Sequence, residues 1–140
     1  TWVAAGTLRL AAISAAAPVI QDAVVTGHDR DEVGLLVFPN PTGCRMQCLS
    51  APEDEPLERL IERPEIGARL SEGLGEHNRA NPGGSTRITR VLMMTEPAAI
   101  DAGEITDKGY INQRAVLTRR AHLVERLYAE PINEKILISE

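Results

Sequence analysis

The chain has 140 residues, a length that suits one globular domain, and an ordinary globular balance of 43% hydrophobic and 25% charged residues. Its formal net charge of −5 supplies no general basic field, so we expect no nucleic-acid partner. Apolar runs are all far shorter than a membrane span, so we expect no membrane partner either.

The first third of the chain predicts a helix followed by a strand. Thr1–Ala5 suits a short strand, and Thr7 is a plausible N-cap for a helix over about 8–17. Pro18 should end that helix, because proline removes a backbone donor. Val19–Val25 is rich in β-branched residues and predicts the next strand.

A second strand is predicted directly after a polar turn. Gly27–Val33 is the turn, and Gly34–Phe38 is a short apolar strand that Pro39–Gly43 should interrupt. The spacing of the two predicted strands suits an antiparallel hairpin with a long turn.

The middle of the chain predicts two helices and a third strand. Residues 53–63 begin with acidic residues and carry leucines at helical spacing. Pro64 suits the first position of a further helix over about 65–79. Asn81–Ser85 is a loop, and Arg87–Met94 is a largely apolar strand.

The last element is a helix of about 112–129, preceded by a loop over Glu96–Asp107. Its apolar stripe is formed by Leu117, Ala121, Val124 and Tyr128. Taken together, the elements predict an α+β fold. We expect a small antiparallel-type three-stranded sheet with packed helices and an N-terminal hairpin-like element.

Cysteine and histidine usage argues against a metal site. Cys44 and Cys48 lie four residues apart, and the three histidines are distant from them and from one another in sequence. Two reduced thiols are the simplest interpretation, and they favour a cytoplasmic location. We therefore predict no metal held by the side chains of this chain.

The most informative segment is Gly103-Glu-Ile-Thr-Asp-Lys-Gly-Tyr-Ile-Asn-Gln-Arg114, which continues into Ala-Val-Leu-Thr-Arg-Arg. A glycine-containing loop with a single lysine, Lys108, thus leads directly into an arginine-rich helix. The segment resembles the C-terminal lysine motif of the adenylate-forming acyl-CoA synthetases. Within that family, Glu104 to Leu117 most resembles the feruloyl-CoA synthetase branch, which activates hydroxycinnamic acids.

Two earlier segments resemble the same family in the same order. Thr1–Leu10, with Gly6, is similar to the region just after the interdomain hinge, where backbone lines the pantetheine tunnel. The acidic residue that is usual there is missing. Gln21–Phe38 is similar to the family's strand, acidic turn and glycine-started strand, which marks the fold.

The resemblance implies that residues 1–140 are one domain, the mobile C-terminal domain of a larger ligase. The start at Thr1, without a methionine, agrees with a cut inside a longer polypeptide. The partner would be its own N-terminal adenylate-forming domain. ATP, CoA and an aromatic, ferulate-like acid would be the substrates, with Mg²⁺ expected. The fragment alone lacks the phosphate loop and the acyl pocket of the other domain, so we expect it to be inactive.

The resemblance also implies the site residues. Lys108 is the predicted catalytic cation, with Gly109 giving the loop its turn and Gly6 lying along the pantetheine route. Guanidinium groups suit phosphate, so Arg114, Arg119 and Arg120 are predicted contacts of the CoA 3′-phosphate.

The register of the motif leaves an alternative open. In the common family form the lysine follows the small residue of the loop and precedes an aliphatic one. That alignment puts Tyr110, between Gly109 and Ile111, at the lysine position and Lys108 two residues earlier.

Two other functions fit the same sequence. A non-catalytic protein-interaction domain could use the acidic region 52–80 and the arginine-bearing last helix as partner surfaces. A synthetase domain could instead pass its adenylate to a carrier protein.

Overall fold

The structure is a computed structural model that describes residues 5–28, 30–129 and 136–138. Within these ranges the chain forms helices and short strands in the following order: α1 (Ala5–Ala15), β1 (Ile20–Thr26), β2 (Val33–Pro39), α2 (Pro41–Gln47), α3 (Leu57–Leu60), α4 (Pro64–Ala80), β3 (Ile88–Met93), α5 (Gln113–Arg119), α6 (Ala121–Tyr128) and β4 (Ile136–Leu137). The predicted α+β class is confirmed.

The strands form a mixed sheet in the order β1-β2-β3-β4. β1 and β2 pair antiparallel, with Ala23 opposite Val37, as the sequence predicts. β2 and β3 pair parallel, with Leu36 opposite Leu92, which corrects the expected antiparallel arrangement. The long passage through α2, α3 and α4 supplies the crossover that parallel pairing needs, and an apolar strand pattern does not encode strand direction.

Apolar residues cover both faces of the sheet, because neighbouring residues of a strand point to opposite sides. In β2, Leu35 and Val37 join one buried cluster, which also includes residues of α1, α2 and α4. Leu36 and Phe38 join a second cluster with residues of α5 and α6. All seven residues of β2 are buried, as expected for a central strand covered on both faces.

The contact of α1 with α4 depends on a glycine. A Cβ atom at Gly73 would lie 2.0 Å from the carbonyl oxygen of Ala15, so no larger residue fits without a backbone shift. Beside it, Arg69 donates from Nη2 to Ala15 O at 3.0 Å and from Nε to Ala17 O at 2.8 Å. These bonds satisfy carbonyl groups at and just beyond the end of α1.

The end of α6 is fixed to the sheet by Tyr128. Its hydroxyl donates to Glu32 O at 2.7 Å and lies 2.8 Å from Thr26 Oγ1, which donates to it. The guanidinium groups of Arg30 and Arg90 lie 4.4 and 5.1 Å from the ring centroid. Tyr128, the last residue of the predicted apolar stripe, therefore holds the end of α6 against β1 and the turn before β2.

Two predicted elements differ at the start of the chain. The strand expected at Thr1–Ala5 falls largely on residues outside the described ranges, and Ala5 itself begins a helix. Thr7 lies inside α1 and is not its N-cap, because alanine-rich sequence extends the helix toward the N-terminus. The described part of the expected hairpin-like element, from Ala5 onward, is therefore helical.

Three other predictions need correction. Of residues 53–63 only α3 is helical, because Pro56 immediately precedes it in an extended conformation. The segment predicted as a break, Pro39–Gly43, instead starts α2. The predicted last helix is interrupted at Arg120, whose backbone has φ −108° and ψ 31°.

No helix in the described part of the chain has the length and apolar character that crossing a bilayer requires.

Candidate functional site

The lysine motif folds as a small hairpin. Ile105 and Ile111 form an isolated antiparallel bridge, and we call the segment between and including them the lysine hairpin. Thr106 N donates to Tyr110 O at 2.7 Å, and Gly109 N donates to Thr106 O at 2.9 Å. Three residues therefore close the loop, with the last in a left-handed conformation. This is a common hairpin geometry.

The tip of the lysine hairpin is defined by its backbone and open to solvent. Gly109 has φ +87°, which favours glycine, and no atom would lie within 4 Å of a Cβ there. Lys108 precedes it and is exposed, without an ion pair or side-chain hydrogen bond to any described residue. Tyr110 is 63% exposed. The tip therefore presents both candidates for the family lysine position to solvent.

The residue just before the hairpin, Glu104, is completely buried. Its Oε1 accepts from the backbone N–H of Ala99 at 2.8 Å, and Nη1 of Arg119 lies 3.3 Å from the same oxygen. The backbone carbonyl of Glu104 accepts from the N–H of Asn112 at 2.8 Å. Glu104 thus contacts Ala99, in the segment after β3, and Asn112, the first residue after the hairpin.

Arg120 completes the arrangement from the break between α5 and α6, and its side chain is also buried. Nε donates to Oε2 of Glu104 and Nη2 to Oε1, both at 2.9 Å. The remaining donors reach Glu96 O at 2.9 Å, Pro97 O at 2.9 Å and the sulfur of Met94 at 3.4 Å. A guanidinium has five N–H groups, so all of them are occupied. We call Glu104 and Arg120 the buried anchor.

The buried anchor is charged. Burial raises the pKa of the Glu104 carboxyl. The hydrogen bonds from Arg120 and from Ala99 N–H, together with the charges of Arg120 and Arg119, outweigh burial and hold the pKa below its usual range. The guanidinium of Arg120 also lies 5.0 Å from the ring centroid of Phe38. The carboxylate therefore stays ionised at neutral pH.

The structure separates the three arginines predicted to meet the CoA phosphate. Arg120 points inward, and Arg119 is partly exposed while paired with Glu96 at 2.9 Å. Arg114 is exposed on α5, beside a shallow depression that it lines with His28. Gly6 lies in the first turn of α1, exposed and with open space around it.

A groove of about 330 Å³ lies beside the lysine hairpin. Its lining includes residues of the hairpin, of the segment after β3, and of the β1 and β2 ends, among them Gly109, Ile111, Pro97, Phe38 and Asp22. Asp22 pairs with Arg9 of α1, with Nη2 and Oδ2 3.0 Å apart. The groove therefore joins the hairpin to the side of the sheet where α1 packs.

The helix after the hairpin is docked on β1, the edge strand of the sheet. Asn112 caps α5 by accepting from Ala115 N at 3.2 Å. The amide of Gln113 accepts from Val25 N at 3.1 Å and donates to Ala23 O at 2.9 Å, as a neighbouring strand would. These contacts fix the outgoing end of the hairpin relative to β1.

Sequence reasoning missed Glu104 and misjudged the setting of Arg120. An acidic residue before a turn and an arginine on a helix are each typical of solvent-exposed positions. The available signal was helical spacing, because Arg120 lies three residues after Leu117 and four before Val124, next to the predicted apolar stripe. His28 lies exposed in its turn, and no cluster of three metal-binding side chains occurs among the described residues.

The sequence profile of the AMP-binding enzyme C-terminal domain family matches residues 9–131. The chain belongs to that family. Among curated proteins, none matches this sequence at a significant level.

Solved structures share the fold at low sequence identity. The adenylation domain of a carboxylic acid reductase from Segniliparus rugosus, in complex with AMP and a co-purified carboxylic acid, superposes with a TM-score of 0.67. Identity is 20%, with 93% of this chain and 18% of that chain covered. The A-PCP didomain of carboxylic acid reductase from the same organism, in complex with AMP, superposes with a TM-score of 0.66. Identity is 21%, with 93% of this chain and 16% of that chain covered.

The adenylation domain of a carboxylate reductase from Mycobacterium chelonae gives a TM-score of 0.64 at 15% identity, with 89% of this chain and 18% of that chain covered. This chain spans less than one fifth of each of these three structures. The predicted family is thereby confirmed at the level of adenylate-forming enzymes. The comparisons give no support for the narrower feruloyl-CoA synthetase branch.

Proposed function

We propose that this chain is the mobile C-terminal domain of an enzyme that activates a carboxylic acid with ATP. It would work against its own N-terminal adenylate-forming domain and supply Lys108 to that active site. The observation that carries the proposal is the lysine hairpin, whose exposed tip holds a cation that has no ion pair with any described residue. Membership of the AMP-binding enzyme C-terminal domain family supports it.

In the proposed reaction a carboxylate oxygen of the acid forms a bond to the α-phosphorus of ATP. The bond from that phosphorus to the bridging oxygen of pyrophosphate breaks, which leaves an acyl-adenylate and pyrophosphate. Negative charge grows on the phosphate oxygens during this step, and a positioned cation stabilises it. Lys108 suits the task, because a lysine is a compact charge on a long stem.

Hinge movement of the domain would bring Lys108 to the site for adenylation and withdraw it for the next step. ATP would bring Mg²⁺, which is held in many such sites by substrate phosphates and one or two carboxylates. We propose that those carboxylates belong to the N-terminal adenylate-forming domain.

For the second step we propose transfer of the acyl group to the CoA thiol, and a ferulate-like aromatic acid as the substrate. Both rest on the resemblance of residues 104–117 to the feruloyl-CoA synthetase branch. Of the three predicted phosphate contacts, Arg114 is the one we retain for the CoA 3′-phosphate, because its side chain is exposed. Gly6 keeps its proposed place near the pantetheine arm.

The second candidate is transfer to a thiol on a carrier protein. It is favoured by one observation, namely that the three solved structures described above come from carboxylic acid reductases, one of them as an A-PCP didomain. The first half-reaction and the role of Lys108 are the same in both candidates. Only the acceptor of the acyl group differs.

The half-reactions separate the role of Lys108 from general damage. In the full-length enzyme, Lys108→Ala should slow ATP–pyrophosphate exchange on the order of a hundredfold, about 3 kcal/mol of transition-state stabilisation. Consumption of a synthetic acyl-adenylate by the acceptor thiol should stay near the wild-type rate, because hinge movement would have withdrawn Lys108 from the site for that step. Arg79→Ala, which removes an exposed cation at the end of α4, is the matched control.

Tyr110 provides the test of the motif register. If Tyr110 holds the family lysine position, Tyr110→Phe or Tyr110→Ala should slow exchange while Lys108→Ala is tolerated. That pattern would remove Lys108 from the mechanism. Near-wild-type exchange in all three variants would contradict a catalytic role for the whole hairpin and favour a non-catalytic interaction domain.

The acceptor and the acid are identified by product analysis with the full-length enzyme. We expect a thioester of CoA from ferulate, ATP and CoA. An adenylate that accumulates with CoA present, and is consumed only by a phosphopantetheinylated carrier protein, would select the second candidate. The 140-residue chain alone should form neither product, and turnover by it would contradict the two-domain account.

A further inference from the structure

We infer that the buried anchor, Glu104 and Arg120, positions Lys108 for adenylation by fixing both ends of the lysine hairpin. This inference rests on the proposed function, and it assigns to Arg120 a positioning role in place of phosphate contact. The five N–H groups of Arg120 are all directed to acceptors inside the chain, which leaves none for a ligand.

The anchor acts on the hairpin from both sides. Glu104 is adjacent to Ile105, the first hairpin residue, and its carbonyl bonds the N–H of Asn112, directly after Ile111. Asn112 in turn caps α5, the helix that leads to Arg120. The incoming strand, the outgoing strand and the following helix are therefore joined at Glu104, through its backbone carbonyl to Asn112 and its carboxylate to Arg120.

The same pair fixes the hairpin relative to the sheet. Arg120 bonds the carbonyls of Glu96 and Pro97, and Glu104 accepts from Ala99 N–H. These residues belong to the segment that follows β3, and β3 pairs with β2 inside the sheet. The side chain of Lys108 has no ion pair or hydrogen bond with a described residue, and Gly109 has no side chain. The position of the tip therefore depends on the anchor.

Positioning matters because Lys108 must reach an atom in another domain. A shift of about 1 Å in a reacting group can lower a rate on the order of a hundredfold. Partial release of the hairpin should therefore slow adenylation through Lys108, without any change in the lysine itself. Loss of fold stability alone would not act through Lys108, and this difference makes the inference testable.

The test is a double-mutant cycle in the full-length enzyme, with ATP–pyrophosphate exchange as the readout. Glu104→Gln keeps the shape of the side chain and removes its charge. We expect it to slow exchange on the order of tenfold in the wild-type background and by less than about twofold in the Lys108→Ala background. Arg79→Ala should leave exchange unchanged in both backgrounds.

Each result of the cycle decides one proposal. If Lys108→Ala slows exchange and Glu104→Gln does not, the positioning role is overturned while the proposed function stands. The same holds if Glu104→Gln slows exchange equally in both backgrounds, because its effect would then not pass through Lys108. If Lys108→Ala leaves exchange near the wild-type rate, the proposed function fails first and the positioning role fails with it.

Hydrogen exchange of the backbone provides a direct view of the hairpin. In Glu104→Gln we expect faster deuterium uptake in the peptide 104–112, which holds the bonded N–H groups of Gly109 and Tyr110. Uptake in β2 should be unchanged. Equal uptake in peptide 104–112 of variant and wild type would contradict a role in positioning.

If Glu104→Gln does not fold at the assay temperature, Arg119→Gln replaces it in the same cycle. Arg119 is partly exposed, and its contact with Glu104 is the longer one, at 3.3 Å. We expect Arg119→Gln to slow exchange roughly two- to threefold in the wild-type background and to have no effect in the Lys108→Ala background. A slower rate that persists without Lys108 would overturn the inference.

Discussion

The tip and the anchor of the lysine hairpin lie a few residues apart and differ in almost every physical property. Lys108 and Tyr110 are exposed, and the tip is shaped by one glycine with positive φ. Glu104 and Arg120 are buried, fully hydrogen-bonded and oppositely charged. The exposed residues at the tip and the buried residues at its base are therefore separate sets, as the proposed positioning role requires.

Removing the arginine of the anchor should have the largest effect on stability. Arg120→Leu leaves the Glu104 carboxylate buried without its main partner, and the free energy of unfolding should fall by about 3–5 kcal/mol. Urea denaturation at pH 7 measures this. Arg79→Ala is the exposed control and should change stability by less than about 0.5 kcal/mol. Equal effects of the two substitutions would mean that the anchor is not a structural contact.

Acid should weaken the anchor selectively. The Glu104 pKa is lower in the folded chain than its usual value, so its contribution is present above the usual glutamate range and is lost as pH falls through the folded pKa. At pH 7, Glu104→Gln should cost about 2–3 kcal/mol of unfolding free energy. That difference from wild type should shrink in urea titrations below about pH 4. A difference that stays constant with pH would exclude ionised Glu104 as its source.

The contact of α1 with α4 provides a benchmark for packed positions. Gly73→Ala forces a Cβ against the backbone of Ala15 and should cost about 1–3 kcal/mol. Gly67→Ala in the same helix has open space and should stabilise by roughly 0.5–1 kcal/mol, because alanine has the higher helix propensity. Thermal unfolding of the two variants should therefore shift in opposite directions.

At the tip the effect should be smaller and local. Gly109→Ala introduces a side chain at φ +87° and should cost about 1 kcal/mol. Gly84→Ala, in an exposed turn without positive φ and with open space, should be neutral or slightly stabilising. Both are measured by urea denaturation. A cost for Gly109→Ala as large as that for Arg120→Leu would remove the distinction between tip and anchor.

Much of the sheet could be predicted from sequence because its strands have strong local signals. β1 to β3 are β-branched or apolar runs between prolines, glycines and polar turns, and each falls within one residue of its predicted bounds. Pro64 marks the first position of α4, as predicted. Strand direction was wrong for β2 with β3, because pairing is decided by distant helices and not by the strand residues.

The start of α2 was predictable and was overlooked. Asn40 accepts from Gly43 N at 3.0 Å, and Pro41 occupies the first turn, which are ordinary signals of a helix start. The helix break at Arg120 was not predictable in the same way. The apolar stripe continues across it, and the reason for the break is a side chain that turns inward toward a glutamate 16 residues earlier.

At the site, Lys108 could be predicted from sequence, whereas the buried anchor of Glu104 and Arg120 was found only in the structure. A motif identifies Lys108, since residue type and loop position are local properties. The burial of Glu104 depends on Ala99, Arg119 and Arg120, which only the folded chain brings together. The register between Lys108 and Tyr110 stays a prediction, because both side chains are exposed on the same tip.

The most direct measurement is ATP–pyrophosphate exchange by full-length Lys108→Ala, at a temperature at which both the variant and the wild-type enzyme are fully folded. We expect exchange to be slower on the order of a hundredfold. The melting temperature should be unchanged within about one degree, because an exposed tip lysine adds little to stability. Exchange at the wild-type rate in a folded Lys108→Ala enzyme would contradict the proposed role of Lys108.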